Sequence, residues 1–171
     1  MGYVIFKSAL QVLFYIKVLF TMCIFCRIAA GELPASVVYE DFQTLAFLDI
    51  QPVTPGHVLV VPRRHAEHLV DLPQEDACHM MRVGQMVDTA LRRTNLRCEA
   101  VAMFLADGRA AGQDVNHVHL HVFPRFTGDD FNFNFDPISR KQPGREQLNA
   151  DADTFRRALQ AILSPAVMEL V

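Results

Sequence analysis

The sequence predicts an α+β domain, an antiparallel sheet of about five strands with two main helices. Three observations lead there. Short apolar, β-branched runs recur between Gly, Pro, Asn and Asp signals, as strands do. Those runs are mostly consecutive along the chain. Two stretches, opening at Asp71 and at Asn149, read as helices. A chain of 171 residues can bury one real core and is short for two.

The N-terminus stands apart. Residues 1–22, MGYVIFKSALQVLFYIKVLFTM, are strongly apolar, but Lys7 and Lys17 leave only nine uncharged residues between them. A membrane helix needs roughly 20. No small-x-small cleavage site precedes CIFC. Three readings stay open: an over-extended gene model with Met22 as natural start, which is preferred, a short interfacial anchor, and a cleaved signal. Residues 1–21 are therefore treated as an extension, and 22–171 as a single domain expected in the cytoplasm with no membrane partner.

The elements then follow in order. GELPAS (31–36) is a turn. SVVYE (36–40) and TLAFLDI (44–50) are strands joined into a hairpin by Asp41-Phe42-Gln43. QPVTPG (51–56) is loop, and HVLVVP (57–62) a buried strand. Asp71 and Pro73 open a helix with Glu75 and Asp76 in its first turn and Arg92 and Arg93 in its last, which suits the helix dipole. Its apolar stripe is Ala77, Met80, Met81, Val83, Val87, Ala90 and Leu91. EAVAMFLA (99–106) and VNHVHLHVF (115–123) are strands, the second ended by Pro124, and 126–144 is polar-aromatic loop. Residues 149–163 close the chain with a helix capped by Asn149 or Asp151 and stopped at Ser164-Pro165.

Net charge of -3 and a pI near 6.1 show no basic excess, so a nucleic-acid polymer is not an expected partner. A small phosphorylated molecule needs only local donors.

Alternate strand side chains share a face, so His117, His119 and His121 form one row, with Val118, Leu120 and Val122 facing the core. That row suits a metal site, or a histidine acting as nucleophile or base and oriented by its neighbours. Cys23 and Cys26 form a C-x-x-C pair. A redox role is open, but no βαβ turn surrounds the pair; with two imidazoles it would complete a tetrahedral zinc site. Cys78 and Cys98 read as packing residues, and His79 as facing solvent.

CIFCRIAAGELPASVVYED, LAFLDIQPVTPGHVLVVPRRH and AGQDVNHVHLHVFPR together resemble the histidine triad (HIT) family of nucleotide hydrolases and transferases, from about Cys23 to Arg125. The H-x-H-x-H motif followed closely by Pro-Arg is highly specific. The resemblance implies a HIT-like fold, a homodimer, and a small nucleotide substrate of purine type. It implies that His119 attacks the α-phosphorus to form a nucleotidyl-histidine. His121, His57 and Gln113 would contact the phosphate or leaving group, and Asp49 the ribose hydroxyls. Ile24, Phe25, Ile28, Phe47, Leu48 and Ile50 would form the base pocket. A structural Zn2+ would take Cys23, Cys26, His65 and His117, with His68 the competitor of His65.

Two positions depart from the family pattern: Ala106, where many members carry Asn or Gln, and Asp114, where they carry Ser or Thr. Arg109 or Arg125 could offset the extra carboxylate, or Asp114 could point away. Family transferases typically have Gln at the position of His121, so the third histidine favours a hydrolase acting on a phosphoramidate or dinucleoside polyphosphate. A nucleotidyltransferase and a non-catalytic nucleotide-binding module are the alternatives.

Overall fold

The computed structural model describes residues 23–131 and 143–163. Residues 1–22, where the start-site and anchor readings fall, lie outside them. The described residues fall into two compact units, 23–131 and 143–163.

The first unit opens with a short helix α1 (Ile24–Ala29), followed by strands β1 (Val37–Glu40), β2 (Thr44–Leu48) and β3 (Val58–Pro62). A 3-10 turn at Leu69–Asp71 leads into helix α2 (Gln74–Leu91), then β4 (Ala100–Phe104), a second 3-10 turn at Arg109–Ala111, and β5 (Leu120–Arg125). The five strands form one antiparallel sheet in the order β1-β2-β3-β5-β4. The β1-β2 turn is set by Asp41, whose Oδ1 accepts the backbone N–H groups of Gln43 and Thr44 at 2.8 and 2.7 Å.

Two-residue periodicity sorts the sheet into two faces. Ala46, Val58, Val60, Leu120 and Val122 pack beneath α2 with Met80, Val83, Val87 and Leu91. Leu45, Phe47, Leu59 and Val61 pack with Phe25 of α1. All five residues of β3 are buried, as a central strand covered on both faces requires. Gly84 lets α2 approach β5 closely, since a Cβ there would lie 2.7 Å from Leu120 Cδ2.

Several expected boundaries shift. Helix α2 starts at Gln74, with Pro73 as cap and Asp71 left in the preceding turn; Arg92 caps its end and reaches back to Asp88 at 2.8 Å. Met81 and Ala90 are exposed, while Asp76 and Gly84 are buried in the stripe instead. Asp76 is accommodated by Gln43 Nε2 at 3.1 Å and Arg64 Nε at 3.0 Å.

The ladder of β5 begins at Leu120, not Val115. The residue opposite Val118 would be Pro62, which has no N–H to donate, and Val118 N–H turns to the Ala66 carbonyl at 2.8 Å. Nor does Pro124 end the strand, which runs on to Arg125. The β3-β5 register stops at Val58↔Val122, so β5 is locally an edge at Pro124, where proline is tolerated.

In the second unit, helix α3 (Arg145–Leu163) begins four residues before the expected Asn149. Asn149 and Asp151 lie inside it, and Gln147 Nε2 donates to Asp151 Oδ1 at 2.8 Å. The expected stop at Ser164-Pro165 lies outside the described residues. Among the described residues, no helix is long and apolar enough to cross a membrane.

Candidate functional site

The three histidines leading into β5 lie on the α1 side of the sheet, because Val118, Leu120 and Val122 take the α2 side. His119 and His121 have ring centroids 4.8 Å apart, and Phe25 meets His117 and His119 edge-on at 5.9 and 5.2 Å.

At the centre of the row, His119 is buried and only 4% exposed. Its Nδ1 lies 2.7 Å from the His117 carbonyl. A carbonyl only accepts, so Nδ1 carries the proton and Nε2 keeps its lone pair. This is the tautomer that a nitrogen nucleophile needs.

His121 is governed by His57. The backbone N–H of Val53 donates to His57 Nδ1 at 3.2 Å, which places the His57 proton on Nε2. That N–H faces His121 Nδ1 at 3.0 Å. His121 therefore carries its own proton on Nε2, as a donor suited to an anionic oxygen. Burial pushes His121 down to about 4, and the neighbouring His119 and His57 push the same way. Burial lowers His57 too, against the pull of Asp49, whose Oδ2 is 3.5 Å from His57 Nδ1. Both rings are thus held neutral at pH 7.

At the other end of the row, Cys23 Sγ and Cys26 Sγ lie 3.4 and 3.6 Å from His117 Nδ1. Cys26 Sγ is 3.3 Å from His65 Nδ1, and the two Nδ1 atoms are 3.3 Å apart. An ion about 2.3 Å from sulfur and about 2.0 Å from nitrogen sets its tetrahedral ligands about 3.3–3.8 Å apart. The four separations given match that spacing and all four atoms lie within 4.8 Å of one another, so the cluster could hold a metal ion. His117 Nε2–H donates to the Pro62 carbonyl at 2.8 Å, leaving Nδ1 bare toward the sulfurs, as metal ligation needs. Burial pushes the Cys26 thiol up, as does the nearby Cys23; a cation is what would offset that and favour thiolate. His68 lies outside this group, paired with Asp107 at 3.1 Å.

A HIT domain model matches residues 30–128, more than half of the chain. The chain belongs to the HIT family. An uncharacterized HIT-like protein of Mycobacterium tuberculosis is 47% identical over 72% of this chain and 85% of its own length. The crystal structure of a zinc-bound histidine triad family protein from Mycobacterium smegmatis is 39% identical, covers 81% of this chain and 99% of its own, and superposes with a TM-score of 0.64. The adenosine 5'-monophosphoramidase of Schizosaccharomyces pombe is 36% identical over 60% of this chain and 74% of its own length.

The remaining residues expected from the HIT pattern divide. Phe25 and Phe47 are buried and meet edge-on at 5.6 Å, with Ile28 packed beside them. Ile24, Leu48 and Ile50 are exposed. Asp49 accepts the Gln51 N–H on Oδ1 at 2.9 Å, and its Oδ2 faces His57. Gln113 is buried with both amide ends on backbone: Oε1 accepts Gly108 N–H at 2.7 Å, and Nε2 donates to Glu67 O at 2.9 Å. Ala106 is buried and Asp114 exposed. Arg125 is taken up by Asp129 and the Phe131 carbonyl.

Some residues that shape this HIT site were not singled out in the sequence. Phe123 packs against His57 at 5.0 Å and Phe131 at 5.2 Å; it continues the same alternation one step past His121. Phe104 lies 5.8 Å from His121, by a cross-strand register that no local pattern reveals. Nor does His79 face solvent freely, since its Nε2 is 2.7 Å from Asp41 Oδ2. Burial alone would raise the Asp41 carboxyl, but hydrogen bonds from His79, Tyr39 and two backbone N–H groups hold it below the usual range.

Proposed function

We propose that this chain is a nucleotide hydrolase that cleaves a nucleoside phosphoramidate or dinucleoside polyphosphate at the α-phosphorus through a nucleotidyl-histidine on His119. The carrying observation is the His119 Nδ1–His117 carbonyl contact at 2.7 Å, which leaves Nε2 as the free nucleophile. The Nε2 lone pair forms a bond to phosphorus as the bond to the leaving group breaks. The leaving group departs with that pair and takes up a proton. Water then displaces the imidazole, releasing the nucleoside monophosphate. The His121 N–H, oriented by His57, meets charge developing on the phosphoryl oxygens. Asp49 accepts from the ribose hydroxyls, and Phe25, Ile28 and Phe47 with the exposed Ile24, Leu48 and Ile50 hold a purine.

Cys23, Cys26, His65 and His117 would hold one structural zinc. Zinc would fix the His117 ring, and the carbonyl of that same residue positions His119. The protein acts in the cytoplasm as a homodimer on this reading. A relative named for phosphoramidase activity supports the hydrolase, and a third histidine at position 121 favours release to water over transfer. Adenosine 5'-phosphoramidate is the test substrate: the intact protein releases AMP, and His119→Ala does so at least about a thousandfold more slowly. Undiminished turnover by that variant sinks the mechanism.

A further inference from the structure

Thr54 stands out in the loop that joins β2 to β3. Residues 51–53 and 55 are exposed, yet Thr54 is only 4% exposed. Its hydroxyl donates to the Pro124 carbonyl at 2.7 Å, across 70 residues of sequence. That carbonyl needs a donor. Arg125 O accepts Glu99 N–H from the β4 side, so the preceding carbonyl faces the opposite side, where β3 has already ended at the Val58↔Val122 pair. Among the described residues, no other hydrogen bond ties residues 50–56 to the sheet.

What this loop delivers to the histidines is the Val53 N–H, 3.2 Å from His57 Nδ1. Thr54 is the next residue, and its carbonyl accepts the His57 backbone N–H at 3.1 Å. His57 Nδ1 has a second neighbour, Asp49 Oδ2 at 3.5 Å. The two pull in opposite senses: a donor keeps Nδ1 bare, whereas a carboxylate draws the ring proton onto it. Without the Val53 N–H, the His57 proton would move to Nδ1. His57 Nε2, 3.0 Å from His121 Nδ1, would then accept rather than donate. The His121 proton would follow onto Nδ1, and His121 Nε2 would present a lone pair where a donor is needed.

We infer that Thr54 is a positioning residue: its hydroxyl, bonded to the Pro124 carbonyl, holds the Val53 N–H on His57 and so keeps the His121 proton on Nε2. The inference rests on the hydrolase reading above for the use of that proton, and on the hydrogen-bond chain alone for its place. Thr54 acts through Val53, His57 and His121 in turn, without touching the reacting atoms. Valine fills the space of threonine without the hydroxyl, and serine keeps the hydroxyl without the methyl group. The two substitutions therefore separate packing from hydrogen bonding.

NMR of the histidine ring nitrogens, which distinguishes a protonated nitrogen from a bare one, tests this without substrate. In the intact protein and in Thr54→Ser, His57 and His121 should each carry the proton on Nε2. In Thr54→Val both protons should move to Nδ1. The kcat for adenosine 5'-phosphoramidate should then fall at least about tenfold, toward the roughly 10²–10³-fold cost of a lost oxyanion donor. Rings unchanged in Thr54→Val, or moved equally in Thr54→Ser, overturn the inference whatever happens to turnover. Thr54→Ala, which adds no bulk, takes the place of Thr54→Val if valine prevents folding. A His57 proton on Nδ1 in the intact protein overturns the inference without any variant. Intact protein with the expected rings and no AMP release sinks the hydrolase reading alone.

Discussion

His57 Nε2 lies 3.0 Å from His121 Nδ1, and burial holds both rings below the usual histidine range. An unfolded histidine takes up a proton near 6.5, whereas folded His121 resists until about 4. Between those values the unfolded chain binds more protons, so stability rises with pH. It is complete above about 6.5 and is lost as pH falls through about 4. His121→Asn should flatten that slope, with a difference on the order of 2 kcal/mol in urea unfolding between pH 7 and pH 4. Parallel slopes for the two proteins would contradict the assignment.

The ligand atoms of Cys23, Cys26, His65 and His117 gather within 4.8 Å of one another, and His68 stands apart on Asp107. Elemental analysis should find one zinc per chain in the intact protein and in His68→Ala. His65→Ala and Cys26→Ser should lose it. Zinc retained in His65→Ala and lost in His68→Ala would transfer the ligand role.

At Gly84 two effects compete. Alanine there gains about 1 kcal/mol of helix propensity, but its Cβ would press on Leu120, which is 2% exposed and cannot swing away. Overpacking costs about 1–3 kcal/mol, so Gly84→Ala should destabilise by about 1 kcal/mol and disturb the flanking His119 and His121. A stabilised variant in thermal or urea unfolding would mean that α2 sits farther from β5.

Thr44 is fully buried, and its hydroxyl has no hydrogen-bond partner among the described residues. Thr44→Val keeps the shape and removes the stranded hydroxyl. It should stabilise the fold by about 1 kcal/mol. A comparable loss would show that the hydroxyl has a partner in solution.

Residues that report on their immediate neighbours were readable in sequence. HVLVVP (57–62) read as a buried strand, and alternation alone placed His117, His119 and His121 on one face. The C-x-x-C pair left redox and metal readings open; the HIT resemblance joined it to His65 and His117, and the fold brings these four together as a cluster that could hold a metal ion. What escaped depended on pairing partners. Pro124 looks like a stop until β3 is seen to end opposite Val122. The start of β5 depends on Pro62 lacking an N–H, and the tautomer of His121 on Val53 donating to His57. Both amide ends of Gln113 are engaged with backbone, a fact set by loop closure that residue type does not encode.

The most direct test of the central claim is mass spectrometry of the protein quenched during turnover of adenosine 5'-phosphoramidate. An adenylyl group on the peptide containing His119, absent from His119→Ala, is the predicted result. Turnover with no adduct in the intact protein, or an adduct on another histidine that persists in His119→Ala, would contradict it.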